Sequence, residues 1–202
     1  MISGEDESRL AYIAVQAGLG LTEGSLVVFD TGGGSSQFTF GEGPRVDERF
    51  SVEVGAVRYT EQRGLDGVVS GETLHAALEA ISEDLSALDG RPIPDALVGM
   101  GGAITNITAV SLSLAPYDPG VVQGATLDRD EIARQIELYR SMDAMSRRSI
   151  VGLQPKRADV ILAGACIVGT VMDELSQESL TVSDLGLRHG VAIERFGAVL
   201  TP

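Results

Sequence analysis

Tryptophan is absent, cysteine occurs once and histidine twice in 202 residues. A lone Cys166 excludes an internal disulfide and a cysteine-rich metal centre, and fits a reducing, cytoplasmic setting. Cations are scarce as well: 15 Lys and Arg stand against 29 Asp and Glu, a formal net charge of −14. That balance argues against a nucleic-acid surface and against docking on an anionic membrane. It also requires that any phosphate ligand be met by local cations or a metal. No apolar run is long enough to span a bilayer. The longest, Val160 to Met172, is broken by Gly164 and Gly169 and reads as a core helix. Glu5, Asp6 and Glu7 follow the first methionine where a secretory leader would turn apolar, so no signal peptide is expected. What remains is ordinary globular composition, 44% apolar and 22% charged. The length allows one large domain, or a domain with an appendage, around a real core.

The most informative stretch is Leu26-Val27-Val28-Phe29-Asp30-Thr31-Gly32-Gly33-Gly34-Ser35-Ser36-Gln37. Its short apolar run predicts a buried strand that ends in an acid. A buried carboxylate needs a partner, because desolvating an unpaired charge is costly. Three glycines let the backbone turn sharply and bring bare N–H groups to an anion. Ser35 and Ser36 add hydroxyls. The cluster suits either a phosphate turn beside a metal or water at Asp30, or a plain tight hairpin. A second cluster, Ala96-Leu97-Val98-Gly99-Met100-Gly101-Gly102-Ala103-Ile104-Thr105-Asn106, repeats the plan with a helix start after the glycines. Two such turns on one side of a sheet could hold two anion-binding loops. Neither has the G-x-G-x-x-G spacing of a dinucleotide site, and neither carries the G-K-[S/T] of a nucleotide P-loop.

Periodicity and turn residues predict a helix over 4–18 and strands at 26–30, 35–41 and 46–53. Helix follows after Gly55, then a helix over 72–88 capped by Ser70 and a strand at 96–100. Further helices are expected over 128–140 and 156–176, with a strand at 180–183 and a terminal helix from Leu187. His75 falls within an amphipathic helix as a structural or solvated residue, and His189 is expected to be an exposed helix-start residue. The acids at 128–131 and 143 read as helix-start or surface acids.

The chain resembles the second part of the exopolyphosphatase/guanosine pentaphosphate phosphohydrolase family, within the actin-like ATPase and sugar-kinase superfamily. Ile2-Ser3-Gly4-Glu5-Asp6-Glu7-Ser8-Arg9-Leu10, the Asp30 cluster and Val98-Gly99-Met100-Gly101-Gly102 carry the resemblance, in the family's order. Gly152-Leu153-Gln154-Pro155-Lys156-Arg157-Ala158-Asp159 through Ala165, and Val182-Ser183-Asp184-Leu185-Gly186-Leu187-Arg188, continue it. It implies an α/β, actin-like (ribonuclease H-like) domain with a mixed five-stranded sheet, the first three strands antiparallel, and helices on both faces. Residues 1–22 would form an interdomain helix and linker, and 23–202 the second actin-like domain. The family's first domain would precede Ile2, so a 202-residue chain alone is expected to turn over weakly.

The resemblance further implies hydrolysis of a terminal phosphoanhydride with Mg²⁺ or Mn²⁺, on polyphosphate or guanosine pentaphosphate, and allows a homodimer. Glu7 and Asp30 would be the catalytic acids, with Asp30 and Gln37 at the metal. Gly32, Gly33, Gly34, Ser35, Gly101, Gly102 and Arg188 would hold phosphate. Three positions depart from the family pattern: Gln37 replaces a usual glutamate, Ala103 a frequent threonine, and His189 an acid. Glutamine can offer a carbonyl oxygen but neither charge nor a base. A regulatory homologue that binds phosphate without turnover is therefore a further reading. Arg157 and Arg188 could each meet phosphate or pair with a nearby acid such as Asp159 or Asp184, and Arg188 is the stronger candidate.

Overall fold

Strand β1 (Ser25–Thr31) is built as its alternation demands, with Leu26, Val28 and Asp30 on one face and Val27, Phe29 and Thr31 on the other. The structure, a computed structural model, describes residues 4–197, without the side chains of 4–7 and 187. Helix α1 (Gly4–Leu19) leads into β1, which pairs antiparallel with β2 (Ser36–Glu42), and β2 in turn pairs antiparallel with β3 (Arg45–Val52). Phe29, Phe38 and Phe50 stack across these three strands at centroid distances of 5.9 and 5.3 Å, which fixes their register.

Helices α2 (Ala56–Arg63) and α3 (Gly71–Asp84) cross over to β4 (Ala96–Met100), parallel to β1. Then follow α4 (Gly102–Ser111), α5 (Pro119–Val122), β5 (Thr126–Asp128), α6 (Arg129–Arg140) and α7 (Ala144–Arg147). Helix α8 (Ile161–Glu174), strand β6 (Ser179–Ser183) and helix α9 (Leu187–Phe196) complete the order. The sheet runs β3-β2-β1-β4-β6-β5, with β1, β4 and β6 mutually parallel. The expected five-stranded mixed sheet is thus corrected to six. β5 escaped the sequence because it has three residues and one buried side chain, Leu127, too little for any period. Its antiparallel register on β6 is a tertiary gift of the α5–α6 connection.

Helix α8 is the hub. Ile161 through Val168 and Thr170 through Met172 are buried, and α2, α3, α4 and α6 all pack on it. That is the core helix read from Val160 to Met172, but it starts at Ile161 rather than Lys156. Pro155–Arg157 instead form a 3₁₀ turn, with the Arg157 N–H on the Gln154 carbonyl at 2.8 Å. The expected 72–88 helix likewise ends at Asp84 and passes into a 3₁₀ turn at Ser86–Leu88. Ser70, Asp128 and Asp143 each cap a helix, accepting from Thr73, Glu131 and Ser146 N–H. So the acids at 128 and 143 have local structural work.

The opposite face of the sheet carries α1, whose Tyr12 and Val15 pack on Leu26, Val28, Val98 and Met100. Helix α9 braces α1. Gly190 lies so close to the Leu10 backbone that any Cβ there would collide with it, and Arg9 pairs with Glu194 at 2.6 Å. Among the described residues no helix is long and apolar enough to cross a membrane.

Candidate functional site

Asp30 is the next-to-last residue of β1, opposite Gln37 on β2 and beside Met100 on β4. Its face is the one covered by α1, so its carboxylate enters a cavity of about 190 Å³ with Ser8, Ala11, Gln37, Thr39 and Met100. That is room for several waters at ~30 Å³ each. Burial pushes the Asp30 carboxyl up to about 6 from its ordinary 3.8. Among the described residues nothing donates a hydrogen bond to it.

The turn after β1 has a double task. The Gly32 N–H closes it on the Ser35 carbonyl at 2.9 Å. The carbonyls of Gly32 and Gly33 accept from Ala56, Val57 and Arg58, the first N–H groups of α2. Gly55 must lack a side chain here, because a Cβ would run into the Gly33 carbonyl. The α2 amides are therefore spent on the protein itself, and Gly33, Gly34 and Ser35 keep N–H groups without a backbone acceptor among the described residues. Gly32, Gly33 and Gly34 are exposed and Ser35 is half-buried.

The second turn meets the first at Asp30. Gly101 has φ of +93°, and a Cβ on it would strike Asp30 Oδ1. Only glycine satisfies both conditions. Gly101 opens α4 without a side-chain cap, so the amides of Gly102, Ala103 and Ile104 stay unpaired among the described residues. Their dipoles make a site suited to an anion. The Arg157 guanidinium lies against Gly102, at a narrow crevice that Thr31, Gly32, Gly33 and Ala103 also line. Arg157 has no ion pair among the described residues. The two glycine turns and the unpartnered acid thus meet at the carboxyl ends of the adjacent parallel strands β1 and β4, where open α/β sheets bind ligands, with Arg157 against Gly102 on the face opposite the Asp30 cavity.

The model of the Ppx/GppA phosphatase family matches residues 1–197. The chain belongs to the Ppx/GppA phosphatase family. An Aquifex aeolicus Ppx/GppA phosphatase crystal structure superposes with a TM-score of 0.90 at 34% identity, covering 96% of this chain and 64% of that one. Exopolyphosphatase 2 of Mycobacterium tuberculosis is 28% identical over 204 residues, 98% of this chain and 64% of that protein. A bifunctional 3-dehydroquinate synthase/phosphatase of Fusobacterium nucleatum is also 28% identical, over 96% of this chain and 30% of its own length. The chain therefore spans less than two thirds of the curated relatives it matches.

Against this Ppx/GppA frame, Glu7 falls on α1 directly before Ser8, a lining residue of the Asp30 cavity; its side chain lies outside the described residues. Gln37 faces Asp30 across the hairpin but is exposed at the cavity mouth. Ala103 is buried against Gly164, where a larger residue would meet α8. His75 is an exposed partner of Glu79. His189 accepts from the Gly186 N–H through Nδ1, a capping role.

The structure places the two arginines differently. Arg188 is exposed on the first turn of α9, and among the described residues no contact seats it on either glycine turn. Asp159 pairs with Arg148 at 3.7 Å and Asp184 accepts from the Tyr117 hydroxyl at 2.7 Å, so among the described residues neither arginine has the local ion pair that the sequence offered it, and Arg157 alone lies against a glycine turn. The sequence signal was weak because an arginine ahead of an aspartate reads as a local ion pair. Ser8 and Thr39 were missed altogether, since small hydroxyls on a helix and a strand carry no motif.

Proposed function

We propose that this chain forms one wall of a metal-assisted phosphoanhydride hydrolase that releases the terminal phosphate of inorganic polyphosphate. The observation that carries the reading is that Asp30, the two turns with amides unpaired among the described residues and Arg157 all stand at the carboxyl ends of the central strands β1 and β4. Phosphoryl transfer asks for positioning and for donors aimed at the oxygens of the transferring group. The amides of Gly33, Gly34, Gly102 and Ala103, with Arg157, supply such donors, and Glu7 would orient the attacking water. The name of the Mycobacterium tuberculosis relative supports polyphosphate as the substrate.

The donors fit Mg²⁺ or Mn²⁺. Among the described residues Asp30 is a carboxylate without a protein partner, and Gln37 and Thr39, each able to offer an oxygen, line the same space. A hard cation that keeps most of its waters needs only one or two protein carboxylates. Among the described residues no three-acid or histidine cluster stands ready as an alternative centre. When bound, such an ion would neutralise charge on the phosphate oxygens.

The test is phosphate release from polyphosphate, with guanosine pentaphosphate as comparison, by the longest natural form of the protein with Mg²⁺ or Mn²⁺. Release from polyphosphate at the higher kcat/KM supports the proposal; faster release from guanosine pentaphosphate reassigns the substrate. A specific observation keeps a second reading alive: the residue facing Asp30 is an uncharged Gln37. Gln37→Glu adds a carboxylate there, and we expect Mg²⁺ affinity or rate to rise about tenfold. Without metal, the new like charge should push the Asp30 carboxyl further up. No phosphate release before or after that change would leave a phosphate-binding regulatory protein.

A further inference from the structure

We propose that Asn106 is a positioning residue that locks Arg157 to the glycine turn of α4, so that the two phosphate contacts form as one unit. The proposal rests on the reading of Arg157 as a phosphate contact. Asn106 is 1% exposed and sits one turn into α4. Its Nδ2 donates to the Gly102 carbonyl at 2.8 Å, and its Oδ1 accepts from the Gln154 N–H at 2.9 Å. These partners, one acceptor and one donor, fix which way the amide points. The Gln154 carbonyl in turn accepts from the Arg157 N–H at 2.8 Å. A single chain of hydrogen bonds therefore runs from the residue that offers a free amide to the residue that offers a guanidinium.

Steric contact reinforces it. Gly152, at φ +89°, lies so close to the Ala109 carbonyl that a Cβ would collide with the α4 backbone. The loop from Gly152 to Arg157 is thus pressed flat on α4, and Asn106 is its polar fastening. A buried asparagine is not what helix formation alone selects, since its amide competes with the backbone. Here both halves of the amide are used, and one half belongs to another element. A guanidinium left free to move must be ordered when it meets phosphate, so holding it beforehand favours binding. Holding the arginine at a set distance from the amides is what a geometric site of this kind requires.

Two variants cut the same bond from opposite sides. Asn106→Ala removes the acceptor, whereas Gln154→Pro removes the donor at a residue whose φ is already −66°. In each, KM for polyphosphate should rise about tenfold while kcat changes less than threefold. On an Arg157→Ala background neither should add a further loss, because the contact they position is gone. Losses that multiply with Arg157→Ala overturn the proposal. An activity-independent arm follows the Arg157 Nε–Hε signal by ¹⁵N NMR. It should be dispersed and ordered in the parent and averaged in either variant; an unchanged signal in a folded variant also overturns the proposal. If the parent releases no phosphate yet the NMR signal responds, the function reading fails while the positioning role stands.

Discussion

Asp30→Ala is expected to reduce phosphate release from polyphosphate on the order of a hundredfold or more, and Glu7→Ala by a similar factor. Among the described residues the other polar groups lining the Asp30 cavity are neutral, Ser8, Gln37 and Thr39, so none of them can stand in for its carboxylate. Asp30 should also reveal itself through stability. Its carboxyl is held at about 6 in the fold by burial, against 3.8 ordinarily, so the folded state binds the proton more tightly than the unfolded chain. Below about pH 3.8 the group is neutral in both states and costs nothing. As pH rises from there through about 6, the folded state loses stability, and the loss levels off above that. At about 1.4 kcal/mol for each tenfold change in proton affinity, the ceiling is about 3 kcal/mol, less where cavity water reaches the group. Asp30→Asn should therefore raise Tm by several degrees at pH 7.5 and hardly at all at pH 3.5. Mg²⁺ should close most of that gap in the parent protein by supplying the missing partner. An equal Tm gain at both pH values would remove the argument for a strained, unpartnered acid. Rates within threefold of the parent would remove its catalytic role.

Arg147→Met should be the most destabilising single change in the chain, by on the order of 3–5 kcal/mol. Arg147 is fully buried, and its guanidinium donates only to backbone carbonyls. Nε reaches Tyr139 at 2.8 Å, Nη1 reaches Leu65 at 2.9 Å and Ala158 at 3.4 Å, and Nη2 reaches Gly67 at 2.8 Å. Burial pushes its pKa down, opposed by Asp66, Asp143 and Asp159 at longer range. Methionine can fill the volume but leaves the Leu65, Gly67 and Ala158 carbonyls as desolvated acceptors without a donor, while Tyr139 keeps the Met142 N–H. The segments affected are the α2–α3 connection, the end of α6 and the turn that follows Arg157. Loss at this position thus reaches the cleft through Ala158. Urea unfolding of the variant would measure the cost; a drop below about 1 kcal/mol would show that water or side-chain rearrangement satisfies the carbonyls. Arg147→Lys should recover only part of the loss, since one ammonium cannot span four acceptors.

Much of the fold was legible because its signals are local. The 26–30 run alternates, Ser70 and Asp128 sit at helix starts, and Val160–Met172 is apolar on every side, as a central helix must be. Strand β5 was not legible, since three residues carry no period and their pairing depends on where β6 lies. The same division holds at the site. Asp30 and the two glycine turns announce themselves by strand–acid–glycine order. Arg157, Ser8 and Thr39 do not, because each reaches the site across a packing contact rather than along the chain.

The sequence by itself determined the elements, the buried acid at a strand end, the glycines that only two tight turns can explain, and the acidic balance that makes every cleft cation count. Tertiary structure decided which groups are available. It spent the α2 amides on the Gly32 and Gly33 carbonyls and turned Asp159 to Arg148, so that among the described residues the amides at the start of α4 and the Arg157 guanidinium have no protein partner. Composition lists donors and acceptors, whereas availability is what remains after packing has paired them, and that remainder is settled only when distant segments meet.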